Sequence, residues 1–198
     1  MELSDEQRHG LNTAVSEATY IGLTIDEAAA TVQVELQVLS LPAEGPQARD
    51  RTVFLVLDGV GRIAASLRTK RVHDEEPTIE PLELAGIDAA VRSFEGGALH
   101  GWEFFDLPDS SWTQWRELLS LDTTVSDSTA DHVVELYQQD GIGPHELDMR
   151  IWFTDITIRK DNGDPVPLQD FIDGGIRWWD AHDHNDPRAT ADEVAPPL

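Results

Sequence analysis

Polar and apolar positions along the chain alternate with two different periods. Ser4 followed three residues later by Gln7 forms a capping-box pattern, and Leu11, Ala14, Val15 and Ala18 follow at helical spacing, predicting a helix over residues 5–17. From Thr19 the period becomes two. Ile21, Leu23 and Ile25 share one face, a turn spans residues 26–29, and Val32, Val34, Leu36 and Val38 share one face again, the pattern of a hairpin with one side buried. Residues 42–50 are rich in Pro, Gly and polar side chains and read as a loop. Residues 53–57 and 63–67 read as strands joined around Asp58-Gly59-Val60-Gly61, so the first half is expected to form one small antiparallel sheet.

Residues 71–81 read as an excursion, and the basic group Arg68, Lys70, Arg71, offset by Asp74-Glu75-Glu76, as a solvated hairpin end. Ile87, Ala90, Val91 and Phe94 predict a helix over 86–95 lying across the sheet, stopped by Gly96-Gly97. Residues 99–107 read as an edge strand with Trp102, Phe104 and Asp106 on one face and Glu103 and Phe105 on the other, too divided for a carboxylate pair. Asp109 or Ser110 is expected to cap a short helix that turns Trp112 and Trp115 to the core. Further strands are expected around Leu119 and Leu121, over 133–137 and over 147–158, with a loop at 138–145 containing Gly141 and Gly143. After the turn signal Asp161-Asn162-Gly163-Asp164, Pro165 and Pro167 lead into a helix over 168–182 with the stripe Leu168, Phe171, Ile172, Ile176 and Trp179; Gly174 and Gly175 suggest close approach to the sheet.

These elements predict an α+β fold, an antiparallel β-sheet core packed by three to four helices, in a single domain over 1–184 with a flexible tail over 185–198. An offset of 96 aligns Leu23, Ile25 and Asp26 with Leu119, Leu121 and Asp122, and Leu57 and Val60 with Phe153 and Ile156, the trace expected of two related β-rich halves.

Charge narrows the function classes. The chain carries 38 acidic against 14 basic residues, a formal charge of -24. Such a surface repels nucleic-acid phosphates and anionic lipid and attracts a basic protein; acidity that serves solubility alone is the competing account. No cysteine is present, which excludes disulfides, thiolate metal sites and cysteine nucleophiles. With no apolar run of about 18 residues and no basic, apolar leader at the start, the chain is expected in the cytoplasm and away from membranes. The nucleophile elbow, the phosphate loop and the dinucleotide fingerprint are missing, since Gly59-Val60-Gly61 lacks a third glycine, and no cofactor is expected.

Two groups of residues carry candidate chemistry. Within Trp178-Trp179-Asp180-Ala181-His182-Asp183-His184, His182 and His184 are the only pair suggesting a metal, but helix positions two apart diverge by about 200° and no third ligand is fixed by spacing. The six tryptophans suggest surface recognition instead. Trp178, off the apolar stripe of the last helix, is the candidate anchor, with Asp180 beside it and Trp102 on the strand; a helix sandwiched on two sides is the competing arrangement.

The hairpin Ile21-Gly22-Leu23-Thr24-Ile25-Asp26 to Val32-Gln33-Val34-Glu35-Leu36, followed by Leu57-Asp58-Gly59-Val60-Gly61-Arg62-Ile63, resembles small acidic bacterial immunity-type proteins of toxin systems. The resemblance covers about a quarter of the chain and implies a non-catalytic α+β protein that neutralises a basic toxin; it assigns no site residue. The alternatives are a small His- and Asp-dependent hydrolase, metal-assisted at His182 and His184, and a structural or oligomer-forming subunit.

Overall fold

The computed structural model describes residues 3–70, 73–94, 101–105, 116–139 and 144–189. The fold is α+β, and the described residues form two antiparallel sheets and three α-helices. Helix α1 (Asp5–Val15) starts on the capping box between Ser4 and Gln7 and buries Leu11, Ala14 and Val15. Strands β1 (Thr19–Asp26) and β2 (Thr31–Gln37) form the expected hairpin, with Val32, Val34 and Leu36 inward.

The next two strands depart from the sequence reading. β3 (Thr52–Asp58) extends the first sheet, but β4 (Arg62–Thr69) leaves it for the second, so the first half is not one sheet. The left-handed Gly59 (φ 62°) turns the chain between them. The run 147–158 is divided in the same way. β9 (His145–Phe153) and β10 (Asp155–Lys160) lie in different sheets, separated by Thr154, whose N–H and hydroxyl both donate to the Asp58 carbonyl. Alternation alone could not show these breaks, because a strand that changes sheets keeps its period of two.

The remaining elements are β5 (Thr78–Ile79), α2 (Ile87–Arg92) after a short 3-10 turn, β6 (Gly101–Phe105), β7 (Leu121–Thr124), β8 (His132–Gln139), β11 (Pro165–Val166) and α3 (Leu168–Asp183). The expected short helix with Trp112 and Trp115, the stop at Gly96-Gly97, Asp106, and the glycines 141 and 143 lie outside the described residues.

Strand order exposes an internal correspondence. The sheets run β1-β2-β3-β10-β11 and β6-β8-β9-β4-β5, with β7 added beside β4. The first three strands of one set build one sheet and its last two complete the other, and the second set does the reverse. Leu57 pairs with Ile156 in the first sheet, and Ile63 with Ile151 in the second. The aligned positions Leu57 and Phe153 fall at equivalent ends of β3 and β9. Leu23 and Leu119 do not correspond, since Leu23 lies in β1 and Leu119 precedes the added strand β7.

One edge strand of each sheet, β1 and β6, is covered by the same device. The Leu23 N–H of β1 donates to Asp88 Oδ1 of α2 (2.9 Å), and the Phe104 N–H of β6 donates to Asn12 Oδ1 of α1 (2.9 Å). Each helix thus satisfies an edge amide that could otherwise template another strand. Burial pushes the Asp88 carboxyl up, but its bonds from Arg92 and the Leu23 N–H outweigh that and hold it below the usual range. Arg92 also donates to the Ile21 carbonyl (3.1 Å). The Asp88→Ala variant is expected to lose about 1–2 kcal/mol, the cost of an unpartnered buried amide, with faster hydrogen exchange at Leu23 as the specific readout.

One buried cluster joins inward residues of both sheets with α1, α2 and the start of α3, including Leu55, Ile63, Ile151, Phe153, Ile87 and Phe171. α3 packs on α1 through a close approach. A Cβ on Gly175 would sit 2.4 Å from Ala14 Cα, so the glycine fits the α1 backbone and not the sheet as expected. Packing also continues beyond residue 184: Arg188 pairs with Asp186 (2.8 Å) and Ala189 is buried. No helix among the described residues is long and apolar enough to cross a membrane.

Candidate functional site

Three places could carry function: the length of α3, the outer face of the second sheet, and a cleft beside the first half of α3.

On α3 the expected roles of Trp178 and Ile176 are exchanged. Trp178 is 0% exposed, enclosed with Leu39, Leu41, Ala181 and Ala189 in a second apolar cluster. This is the sandwiched arrangement, and it corrects the expectation of an exposed anchor. The cause is the segment before residue 42, which lies over α3: the Leu41 N–H donates to the Gly174 carbonyl and Arg177 Nε to the Leu41 carbonyl (both 3.0 Å). The small residues Gly174, Gly175 and Ala181 let neighbouring chain approach, so they mark the buried face more faithfully than the isoleucine does. Ile176 is 38% exposed, the only exposed large apolar side chain among the described residues. Around it on the outward face stand Asp173, Asp180 and Asp183, at helical offsets of -3, +4 and +7. Asp180, expected beside Trp178 in a contact surface, is exposed on this stripe, on the opposite side of the helix from the ring.

Trp102 is also buried, on the inward face of β6 with its ring edge toward Phe104 (5.7 Å) in the main core. The structure therefore does not unite Trp102, Trp178 and Asp180 in one surface. His182 stacks on the Trp178 ring (5.3 Å, 13°), whereas His184 Nδ1 meets the Asp180 carbonyl at 2.7 Å where the helix ends. Among the described residues no three His, Asp or Glu side chains converge as metal ligands.

The outer face of the second sheet carries the strongest electrostatics. Its positions run Ser66 and Arg68 on β4, Glu146, Asp148 and Arg150 on β9, and Glu135 and Tyr137 on β8, placed side by side by the register. Arg68 pairs with Asp148 and with Glu146 (2.6 Å), and also donates to Ser66 Oγ (3.2 Å). Arg150 pairs with Glu135 and lies over the Phe105 ring. Ser66, Arg68, Asp148 and Arg150 are all buried, which corrects the reading of Arg68 as part of a solvated hairpin end. Lys70, two residues on, is exposed. Burial pushes the Asp148 carboxyl up to about 6, with Glu135 and Glu146 adding to the rise and Arg68 opposing it. Burial, followed by Glu146 and Asp148, pushes Tyr137 up to about 12.

None of this layer was legible beforehand, because alternating Glu146, Asp148 and Arg150 looks the same on a solvated face as on a covered one. Chemically the layer supplies a carboxyl able to hold a proton near neutral pH, but its serine hydroxyl is bonded to a guanidinium, which does not activate it as a nucleophile.

The third place is a cleft of about 430 Å³ between α3, the end of β2, the start of β3 and the β10–β11 hairpin. Its floor is apolar, with Leu41, Val53 and Phe171, and Arg51, Lys160 and Arg177 stand around it. Comparison of the chain with protein-family models, with curated proteins and with solved structures returns no match.

Proposed function

We propose that this chain is a non-enzymatic acidic binding protein that holds a basic protein partner, in the manner of an immunity-type inhibitor. The observation that carries the reading is the outward face of α3, where the exposed Ile176 is flanked by Asp173, Asp180 and Asp183. An apolar contact ringed by like charges is the anatomy of a small recognition surface: the carboxylates steer a cationic partner and the isoleucine supplies desolvated area.

The handling of the cations supports the same reading. Arg8, Arg62, Arg68, Arg92, Arg150 and Arg188 each sit on a carboxylate of the chain itself. Their positive charge is spent internally, and the remaining acidic excess gives a field that favours basic proteins over nucleic acid or anionic lipid. The hydrolase alternative gains no support from His182 and His184, whose rings are engaged at different places on α3.

The test is capture from the native host with wild-type protein and with the triple variant Asp173→Asn, Asp180→Asn, Asp183→Asn. A basic protein should be retained by the wild type, be released as salt is raised, and bind the variant at least about tenfold more weakly, the effect of losing several steering charges. Equal retention by wild type and variant, or capture insensitive to salt, would overturn the proposal.

A further inference from the structure

The cleft beside α3 is built for a different ligand. In a chain of charge -24, three cationic side chains, Arg51, Lys160 and Arg177, line the same opening. Arg177 is held in place by its Nε bond to the Leu41 carbonyl (3.0 Å), and neither its remaining guanidinium N–H groups nor the Lys160 ammonium has a partner among the described residues. Three carboxylates also border the cleft. Asp50 is turned to the Thr52 N–H (3.0 Å), while Asp161 and Asp170 are exposed at the rim. Leu41, Val53, Phe171 and Val166 make the larger, apolar part of the lining, beside the polar Ser40, Thr52 and Asn162, so a ligand's body must be mainly apolar.

The cleft is also preformed. Both backbone groups of Leu41 are tied to α3, and Gly174 makes this approach possible, since a Cβ there would lie 2.4 Å from Ser40 Oγ. A wall fixed in this way does not collapse onto the floor when the space is empty, and binding needs little reordering. At the corresponding corner of the second sheet, where β4 ends and β9 begins, the described residues include a Phe94 ring stacked on His145 (4.8 Å) and a Thr69 hydroxyl donating to Glu80 (2.6 Å).

We propose that this cleft binds a small organic monocarboxylate, its carboxylate between Arg177 and Lys160 and its aromatic or branched body on Phe171, Val53 and Leu41. The volume lies in the range of ordinary small-molecule sites. The lining includes none of Asp173, Ile176, Asp180 and Asp183, and the test uses no protein partner, so either reading can fail alone.

The probe is 4-phenylbutyrate, titrated into the full chain by amide NMR and calorimetry, beside its neutral amide and acetate. Saturable binding with shifts at Val53, Val166 and Phe171 is expected, at least about tenfold weaker for the amide, which lacks the charge, and for acetate, which lacks the body. Lys160→Gln, an exposed position, should weaken the carboxylate about fivefold and leave the amide unchanged, as expected for one exposed charge contact. No saturation by about 10 mM, equal binding of acid and amide, or shifts confined to other surfaces would overturn the assignment.

Discussion

Replacing Arg68 by methionine is expected to cost about 3–5 kcal/mol at pH 8, the range for removing one partner of a buried ion pair. The side chains of Arg68 and Asp148 are 10% and 6% exposed, and Glu146 shares the same guanidinium. Without it Asp148 and Glu146 lose the cation they share on a covered face. The loss should shrink toward pH 5, because Asp148 can then take up a proton. In the wild type its folded pKa of about 6 already lies above the ordinary value of 3.8. The folded state therefore binds more protons than the unfolded state between those limits, and this group's contribution to stability falls as pH rises through the window, by roughly 3 kcal/mol in all. Loss of Arg68 raises the folded value further and extends the window upward. Urea unfolding at pH 5 and pH 8 checks both statements: an equal loss at the two pH values would contradict the account, and Asp148→Asn should flatten the wild-type dependence.

Trp178→Ala should be similarly damaging, at about 3–5 kcal/mol for a fully enclosed tryptophan. The ring fills the space between α3 and the segment carrying Leu39 and Leu41, with Trp179 edge-on to it at 5.0 Å and His182 stacked against it. Its removal leaves a void that the tied segment cannot collapse to fill. Ile176→Ala, two residues away on the outward face, should change stability by no more than about 0.5 kcal/mol while weakening partner capture. Thermal unfolding and capture measured on both variants separate packing from recognition. The contrast fails if Trp178→Ala unfolds like the wild type.

α1, β2 and the span of α3 were legible because each shows a clean period with a cap or turn at its boundary, Ser4 and Gln7 for the helix and Asp161 to Asp164 for the last turn, whereas β1 shifts register between Tyr20 and Gly22, so that Tyr20 and Leu23 are buried while Ile21 and Ile25 are only half-buried. What sequence could not show was partnership between strands. β3 and β4, like β9 and β10, keep one period across a change of sheet, and only the pairing with chain far away distinguishes them. The candidate surfaces failed in reading for a related reason. Tryptophan invites a reading as an exposed anchor, but Trp178 is covered by the segment containing Leu39 and Leu41, remote in sequence. The exposed Ile176 lay within the apolar stripe, and the face opposite it is marked by glycine and alanine, whose significance is room and not hydrophobicity.

The reciprocal completion of the two sheets also governs how the chain reaches this state. The β1–β2 and β8–β9 hairpins join neighbouring strands and can form early. The β3–β10 and β4–β9 seams must wait for remote segments to meet, at a loop-closure cost that no local contact offsets. Neither set of strands can finish its own sheet, so an intermediate with one sheet complete already requires chain from both ends. Folding should consequently be slow and strongly cooperative. A nascent chain emerging only as far as β5 would expose the inward side of two unfinished sheets, a state in which another copy could supply the missing strands.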